Sequence, residues 1–294
     1  MEAYRRDMNQ IERVGVVGGG LMGAGIAEVV ARAHLDVVVI EADEEASKRA
    51  QARISESIHR AVDRGKLSAE DAAAAVDGLS VTPDFGALAD RDLVIEAIPE
   101  IEAAKVDVFR RIDGIVTKDD ALLASNTSSI PIMKLAMATQ RPEQVLGLHF
   151  FNPVPVLPLV ELVQSLLTAD VAAERAVGFA EEQLAKHVIR SQDRAGFIVN
   201  ALLIPYLLSA IRMLESGFAS AEDIDAGMVQ GCAHPMGPLA LADLIGLDTT
   251  NAVAMSLYEE FKEPLYAPPP MLSRMVDAGL LGRKAGRGFF TYGR

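Results

Sequence analysis

The strongest constraint on this chain is a glycine pattern set between a strand and a helix. Val14-Gly15-Val16-Val17 is a short apolar run leading into Gly18-Gly19-Gly20-Leu21-Met22-Gly23, and a helix-like stretch follows to about Ala33. A second apolar run, Val37 to Ile40, ends at Glu41, 18 residues past the last glycine. This is G-x-G-x-x-G in the strand–turn–helix setting that gives the pattern its meaning. Gly18 permits the tight turn, Gly20 lets backbone approach a pyrophosphate, and Gly23 lets helix and strand pack closely. The helix start, with Leu21 and Met22 in its first turn, offers unsatisfied N–H groups and a positive dipole end to phosphates. Glu41 can accept a ribose 2′-hydroxyl and would repel a 2′-phosphate, so NAD is expected in preference to NADP. A glycine-rich turn that bound nothing would leave the acid unexplained.

At 294 residues the chain exceeds one compact doubly wound unit, so two domains are expected. A formal charge of −13 argues against nucleic acid or an anionic membrane surface as partner, but leaves room for an anionic ligand on a local basic patch. The single cysteine, Cys232, excludes an internal disulfide and suits a reducing cytoplasm. Met1 to Gln10 is charged and polar, unlike a secretory leader, and reads as a flexible tail. The most apolar helical stretch, Phe197 to Leu214, contains Asn200, Pro205 and Arg212 and falls short of a membrane span.

Apolar strand candidates recur at Val14–Val17, Val37–Ile40, Leu93–Glu96, Leu122–Ala124 and Val145–Leu148, with helical segments between most of them. That alternation is the mark of a parallel, doubly wound α/β sheet of Rossmann type. A long charged stretch from Glu44 to Arg64 interrupts the rhythm and, with Asp71–Asp77, predicts an inserted helix pair. Strand signals stop near Ile189, and from Phe197 the pattern is helical. The expected organisation is a tail over 1–10, a nucleotide domain over 11–191 and an all-α domain over 192–294. The helix Phe197–Leu214 is apolar almost all round and is expected to be buried on every side, by core packing or by a subunit interface.

His149 follows an apolar strand and opens the run His149-Phe150-Phe151-Asn152-Pro153-Val154-Pro155. With Pro158 this predicts a stiff, extended connector into Leu159-Val160-Glu161-Leu162-Val163. By period-two alternation Glu161 shares its face with Leu159 and Val163, and a buried carboxylate needs a partner. His149 is the obvious one. Oxidising an alcohol requires a base for the hydroxyl proton, an imidazole titrates near working pH, and a carboxylate fixes its tautomer. Either residue alone is better explained by an exposed edge or a satisfied core histidine; the pair favours a dyad.

The run Ser125-Asn126-Thr127-Ser128-Ser129 follows the strand Leu122–Ala124, at the carboxyl end where α/β sheets bind ligands. One hydroxyl would cap the helix after Pro131, and five hydrogen-bonding side chains exceed that need, so part of the run is assigned to ligand contact. Asn200 shares a helical stripe with Ile204, Leu207, Ile211 and Leu214. It either closes the hydrogen-bonding gap that Pro205 leaves at the carbonyl of Ala201 or faces substrate. His34 and His59 read as surface residues, His187 as lying near a helix end and His234 as part of a turn, and no Cys/His spacing suggests a metal. Lys48, Arg49, Arg53, His59, Arg60, Arg64 and Lys66 form one basic cluster, interleaved with Glu44, Glu45, Glu56 and Asp63. It is a solvated helix face or a site for a phosphorylated ligand tail.

Together these segments resemble the L-3-hydroxyacyl-CoA dehydrogenase family, and most of all its short bacterial members called 3-hydroxybutyryl-CoA dehydrogenases. The resemblance runs from about Ile11 to Tyr292. Gly18–Gly23, Glu96-Ala97-Ile98-Pro99-Glu100, Ser125–Ser129, His149–Pro153 through Glu161, Gly196–Asn200, His234–Asp248 and Gly282–Phe290 carry it. It implies a Rossmann-like domain and a helical dimerisation domain, with NAD and an acyl-CoA as ligands. It further implies His149 as catalytic base, Glu161 as its orienting partner, and Ser128 and Asn200 beside the reacting hydroxyl. Glu100 and Lys105 would lie near the nicotinamide half of the cofactor, with Asn126 among the cofactor contacts. Ser57, Arg64 and Arg60 or Lys66 would meet the CoA phosphates. Glu41 departs from the commoner Asp, Ala201 from a frequent Arg, and Ala195 from a frequent Pro.

The implied reaction is reversible NAD-linked oxidation of an (S)-3-hydroxyacyl-CoA to the 3-oxoacyl-CoA. A β-hydroxyacid dehydrogenase of the 6-phosphogluconate type would use a lysine on the first helix of the helical domain, and Phe197–Leu214 has none. A dehydrogenase of a free sugar acid is the nearer alternative. A catalytically silent NAD-binding structural protein is the non-enzyme one, and the intact set His149, Glu161, Ser128 and Asn200 argues against it.

Overall fold

In the computed structural model the described residues are 10–293, so the predicted tail lies almost wholly outside them. They divide into two compact units, the first ending at Asp193 and the second beginning at Arg194.

The first unit is built on one eight-stranded sheet of order β3-β2-β1-β4-β5-β6-β7-β8. The strands are β1 (Arg13–Val17), β2 (Asp36–Ile40), β3 (Leu79–Thr82), β4 (Leu93–Glu96), β5 (Leu122–Ser125), β6 (Val145–Phe150), β7 (Leu159–Gln164) and β8 (His187–Gln192). Neighbours from β3 to β6 are parallel, in the order of a dinucleotide-binding sheet. The strand order reverses between β1 and β4, so a crevice opens where their carboxyl ends diverge. Every residue of β4, β5 and β6 is buried, which is why each reads as an unbroken apolar run.

Three features depart from the sequence reading. β7 runs antiparallel to β6, so the sheet is not parallel throughout, and β8 pairs with β7. The strands β3 and β8 carry little apolar signal, because both lie at sheet edges and β3 buries only Leu79 fully. His187 opens β8 instead of lying near a helix end.

The inserted pair is present as α2 (Glu44–Asp63) and α3 (Ala69–Asp77), packed against α1 (Leu21–Arg32). In α2 the buried residues Ala50, Ile54 and Ile58 recur every fourth position, which makes a narrow apolar stripe on an otherwise charged helix. Asp43 caps its start by accepting the Ala46 N–H at 2.7 Å. Helix α6 (Asp170–Gly178) shares the core of α1 and α2, its Ala172, Ala173 and Ala176 joining one cluster with Ile26, Val30 and Ile54, whereas α4 (Glu102–Ile115) and α5 (Ile132–Ala136) pack against each other outside that cluster.

The second unit is helical: α7 (Val199–Glu215), α8 (Ala221–Cys232), α9 (Pro238–Ile245), α10 (Leu247–Phe261) and α11 (Pro270–Asp277). Ile204, Leu207, Leu208 and Ile211 of α7 pack with Leu239, Ala242, Leu257 and Leu272. Within the chain α7 is not buried all round: Leu202 is 73% exposed and Met213 41%. Its inner stripe satisfies the core, and the rest of its apolar surface stays uncovered within the chain. Two carboxylates fasten this unit. Asp225 accepts the Leu239 and Ala240 N–H groups at the start of α9, at 2.8 and 2.9 Å. Asp243, wholly buried, accepts the N–H groups of Phe289 and Phe290 and the Tyr292 hydroxyl. The segments His234–Asp248 and Gly282–Phe290 are thus joined through one side chain. No helix among the described residues is long and apolar enough to cross a membrane.

Candidate active site

The glycine loop leaves β1 at the crevice. Gly18 has φ of +94°, and a Cβ there would come within 3.0 Å of the Ala97 carbonyl at the end of β4. A Cβ on Gly23 would lie 1.8 Å from the Gly18 carbonyl oxygen, so α1 can approach the loop only as glycine. Gly20 is different: a Cβ would meet nothing within 4 Å, and no side chain caps the helix that starts there. Open backbone at an uncapped helix start is what a phosphate group fills, so these residues fit a dinucleotide. Leu21 is exposed and Met22 half-buried beside it. Glu41 reaches the same loop, and its Oε1 accepts the Gly19 N–H at 2.8 Å.

The second element is the β6–β7 hairpin. Its antiparallel register sets His149 directly opposite Glu161, so both side chains stand on one face. The imidazole Nδ1 lies 2.7 Å from Glu161 Oε2. Glu161 is wholly buried and His149 only 6% exposed. A carboxylate only accepts, so Nδ1–H donates and Nε2 is the nitrogen that takes up a proton. The Phe151 ring packs at 4.6 Å from the imidazole.

The connector is not the extended arm expected from its prolines. Because β7 returns antiparallel, the chain must reverse, and the N–H groups of Val156 and Leu157 donate to the Pro153 carbonyl. The Lys186 ammonium clamps the reversal by donating to the carbonyls of Val154 and Leu157 at 2.6 and 2.8 Å. Burial, and then the nearby Arg32, push the pKa of Lys186 down.

Most of the serine-rich run is hydrogen-bonded within the protein. Ser125 Oγ donates to Glu96 Oε2 at 2.6 Å. Glu100 Oε1 accepts from Thr127 Oγ1 at 2.5 Å and from the N–H groups of Ser128 and Ser129 at 3.0 and 3.1 Å. The Ser129 hydroxyl adds a further bond at 3.0 Å. Burial alone would raise the Glu100 pKa, but the Lys105 charge and these donors outweigh it and hold the carboxyl below its usual range. The surplus of polar side chains therefore serves mainly to hold two carboxylates, and half-buried Ser128 is the hydroxyl left nearest the surface. Asn126 Oδ1 accepts the Phe150 N–H at 2.9 Å, tying this loop to the residue after His149.

Lys105 lies below the surface beside Glu100. Its side chain is 1% exposed, with the ammonium 2.6 Å from Glu96 and 3.3 Å from Glu100. The ammonium also donates to the Ile98 carbonyl at 3.2 Å, so it ties Glu100 to the end of β4. Glu96, wholly buried, also accepts the Ile98 N–H at 2.7 Å. The sequence reading gave Glu96 no role of its own. Its signal was close to that of Glu161: a carboxylate in an otherwise apolar strand, at the end of β4 where Glu161 lies within β7.

Asn200 lies in the second unit, half-buried on the first turn of α7. On α2, Ser57 is half-buried and Arg60 is exposed, 3.7 Å from Glu56. Arg64 and Lys66 are exposed just beyond the helix. His34 lies 3.6 Å from Asp71, His59 Nδ1 is 2.7 Å from the Ser55 carbonyl, and His234 meets the Tyr206 hydroxyl at 3.1 Å. Among the described residues no cluster of three or more His, Cys, Asp or Glu could hold a metal ion.

Residues 13–194 match the NAD binding domain of 3-hydroxyacyl-CoA dehydrogenases, and residues 196–292 match the C-terminal domain of the same enzymes. A 3-hydroxybutyryl-CoA dehydrogenase of Mycobacterium tuberculosis is 58% identical over 282 residues, covering 96% of this chain and 99% of the relative. The crystal structure of M. tuberculosis FadB2 superposes with a TM-score of 0.95 at 58% identity, over 96% of this chain and 99% of that one. That of the (S)-3-hydroxybutyryl-CoA dehydrogenase PaaH1 from Ralstonia eutropha gives 0.91 at 44% identity, over 97% and 100%. The glycine loop, the two-unit organisation and these matches agree: the chain belongs to the 3-hydroxyacyl-CoA dehydrogenase family of NAD-dependent oxidoreductases.

Proposed function

We propose that the protein reversibly oxidises an (S)-3-hydroxyacyl-CoA, 3-hydroxybutyryl-CoA first among them, to the 3-oxoacyl-CoA. The observation that carries this reading is the buried His149–Glu161 pair at 2.7 Å. His149 Nε2 takes the hydroxyl proton, and Glu161 holds the tautomer and stabilises the imidazolium that results. In the reverse direction the imidazolium returns the proton to the forming alcohol. NAD, when bound, accepts the hydride. Ser128 and Asn200 orient the reacting oxygen.

Gly18, Gly20, Leu21, Met22 and Gly23 present the phosphate-binding backbone, and Glu41 takes the ribose hydroxyl. Asn126 and Glu100, the latter positioned by Lys105, border the nicotinamide half. Ser57, Arg60, Arg64 and Lys66 form the phosphate-binding face for the CoA tail. The exposed apolar side chains of the helical unit, Leu202, Met213 and Phe218 among them, are the surface through which two copies pair. One exposed, unpaired cysteine suits a cytoplasmic enzyme.

The test is the loss of NADH absorbance with acetoacetyl-CoA, repeated with NADPH. Rapid turnover with NADH and little with NADPH supports the reading. NADH binding without turnover of acetoacetyl-CoA or longer acyl-CoAs overturns the substrate and turns attention to free hydroxy acids.

A further inference from the structure

Gly19 is gripped from both sides by opposite charges. Glu41 Oε1 accepts its N–H at 2.8 Å, and Arg53 Nη1 donates to its carbonyl at 2.7 Å. The two side chains come from different elements, Glu41 from the residue after β2 and Arg53 from the middle of α2. Among the described residues they form no ion pair with each other or with any third group. Arg53 is unlike its neighbours on the helix in this respect. Arg49 lies 3.6 Å from Glu45 and Arg60 3.7 Å from Glu56, each one turn along. The positions four before and four after Arg53 are Arg49 and Ser57, so the helix offers it no carboxylate there.

Packing brings α2 to the loop, where Arg53 is exposed. A Cβ on Gly19 would lie 2.5 Å from Ala50 Cβ, so α2 presses directly on the glycine turn one helical turn before Arg53. One guanidinium N–H is used by the Gly19 carbonyl, and the other donors of the fork have no partner among the described residues. A planar fork of donors matches phosphate oxygens, whereas a carboxylate repels them. Dinucleotide folds favour one cofactor by placing an acid here and the other by placing an arginine nearby. This loop carries both.

We infer that Arg53 is a specificity-determining residue, a 2′-phosphate acceptor masked by Glu41, so that neutralising Glu41 turns an NAD loop into one that also takes NADP. The inference rests on the reading that Glu41 meets the adenosine ribose.

NADH and NADPH binding is followed by cofactor fluorescence, with no acyl substrate present. The proteins compared are the wild type, Glu41→Gln, Glu41→Gln/Arg53→Met and Glu41→Gln/Arg53→Lys. Glu41→Gln is expected to bind NADPH about tenfold more tightly than wild type, the scale of one charged hydrogen bond gained. Adding Arg53→Met should abolish that gain while leaving NADH binding close to that of Glu41→Gln, and Arg53→Lys should keep part of it. Equal NADPH binding in Glu41→Gln and Glu41→Gln/Arg53→Met would show that Arg53 only braces the loop, overturning the inference alone. Unchanged NADPH binding in Glu41→Gln would overturn the ribose reading and the inference with it.

Discussion

Glu161 and Asp243 are both wholly buried carboxylates, one in each unit, yet they are satisfied in opposite ways. Asp243 is bound by two backbone N–H groups and a tyrosine hydroxyl, none of which titrates near neutral pH. Glu161 is bound by an imidazole. A buried carboxylate held by backbone is a fastener, because its partners keep one protonation state. One held by histidine is joined to a group that can take and release a proton, which is what the proposed mechanism uses. Glu96 stands between the two, since its partners are the Ser125 hydroxyl, the Ile98 N–H and the Lys105 ammonium. The kind of partner separates the roles where burial does not.

The largest effect that would sharpen this contrast is on turnover. His149→Ala should lower kcat by about 10³-fold, the usual scale for a lost general base, with NADH affinity nearly unchanged. Near-normal kcat would break the contrast at its centre. Asp243→Ala should lower the stability of the second unit by ~3 kcal/mol by leaving three donors unmatched, measured by denaturant titration, with kcat per folded molecule retained. Glu161→Gln should fall between them, lowering kcat by about 10²-fold and shifting the pH–rate profile, because the imidazolium loses its counter-charge.

A smaller effect concerns acid stability. The Glu100 carboxyl is held below its ordinary value of 4.5, so its contribution is complete above that value and is lost as pH falls through the folded one. Wild type should therefore lose stability on acidification more steeply than Glu100→Gln, as thermal unfolding across that range will show. Least in magnitude is assembly: Leu202→Glu should shift light-scattering mass toward the monomer while the helical content of α7 is kept.

Much of this was legible because it is local. The turn at Gly18, the approach at Gly23 and the acid at Glu41 lie within one strand–helix–strand stretch, and backbone geometry requires both glycines. The His149–Glu161 pair was legible because a carboxylate in an apolar strand demands a partner and a histidine stood 12 residues away. What brings them together, the antiparallel return of β7, was not legible, because strand direction is set by which edge remains open. The burial of Lys105 was hidden for a similar reason. Its two carboxylates sit at the end of β4 and in the loop beyond, and nothing in the helical spacing of α4 reports on them. The exposure of Leu202 shows the converse, since an apolar residue signals burial without naming the molecule that covers it.

The direct opposition of His149 and Glu161 across the hairpin has an evolutionary corollary. Insertions or deletions in the reversal between the strands can be absorbed by the loop, but a single-residue slip within β7 would turn Glu161 to the other face and bring Val160 or Leu162 opposite the imidazole. The sheet would survive such a change and the His149–Glu161 pairing would not. Drift in this lineage is therefore expected to leave the count of residues along β6 and β7 frozen.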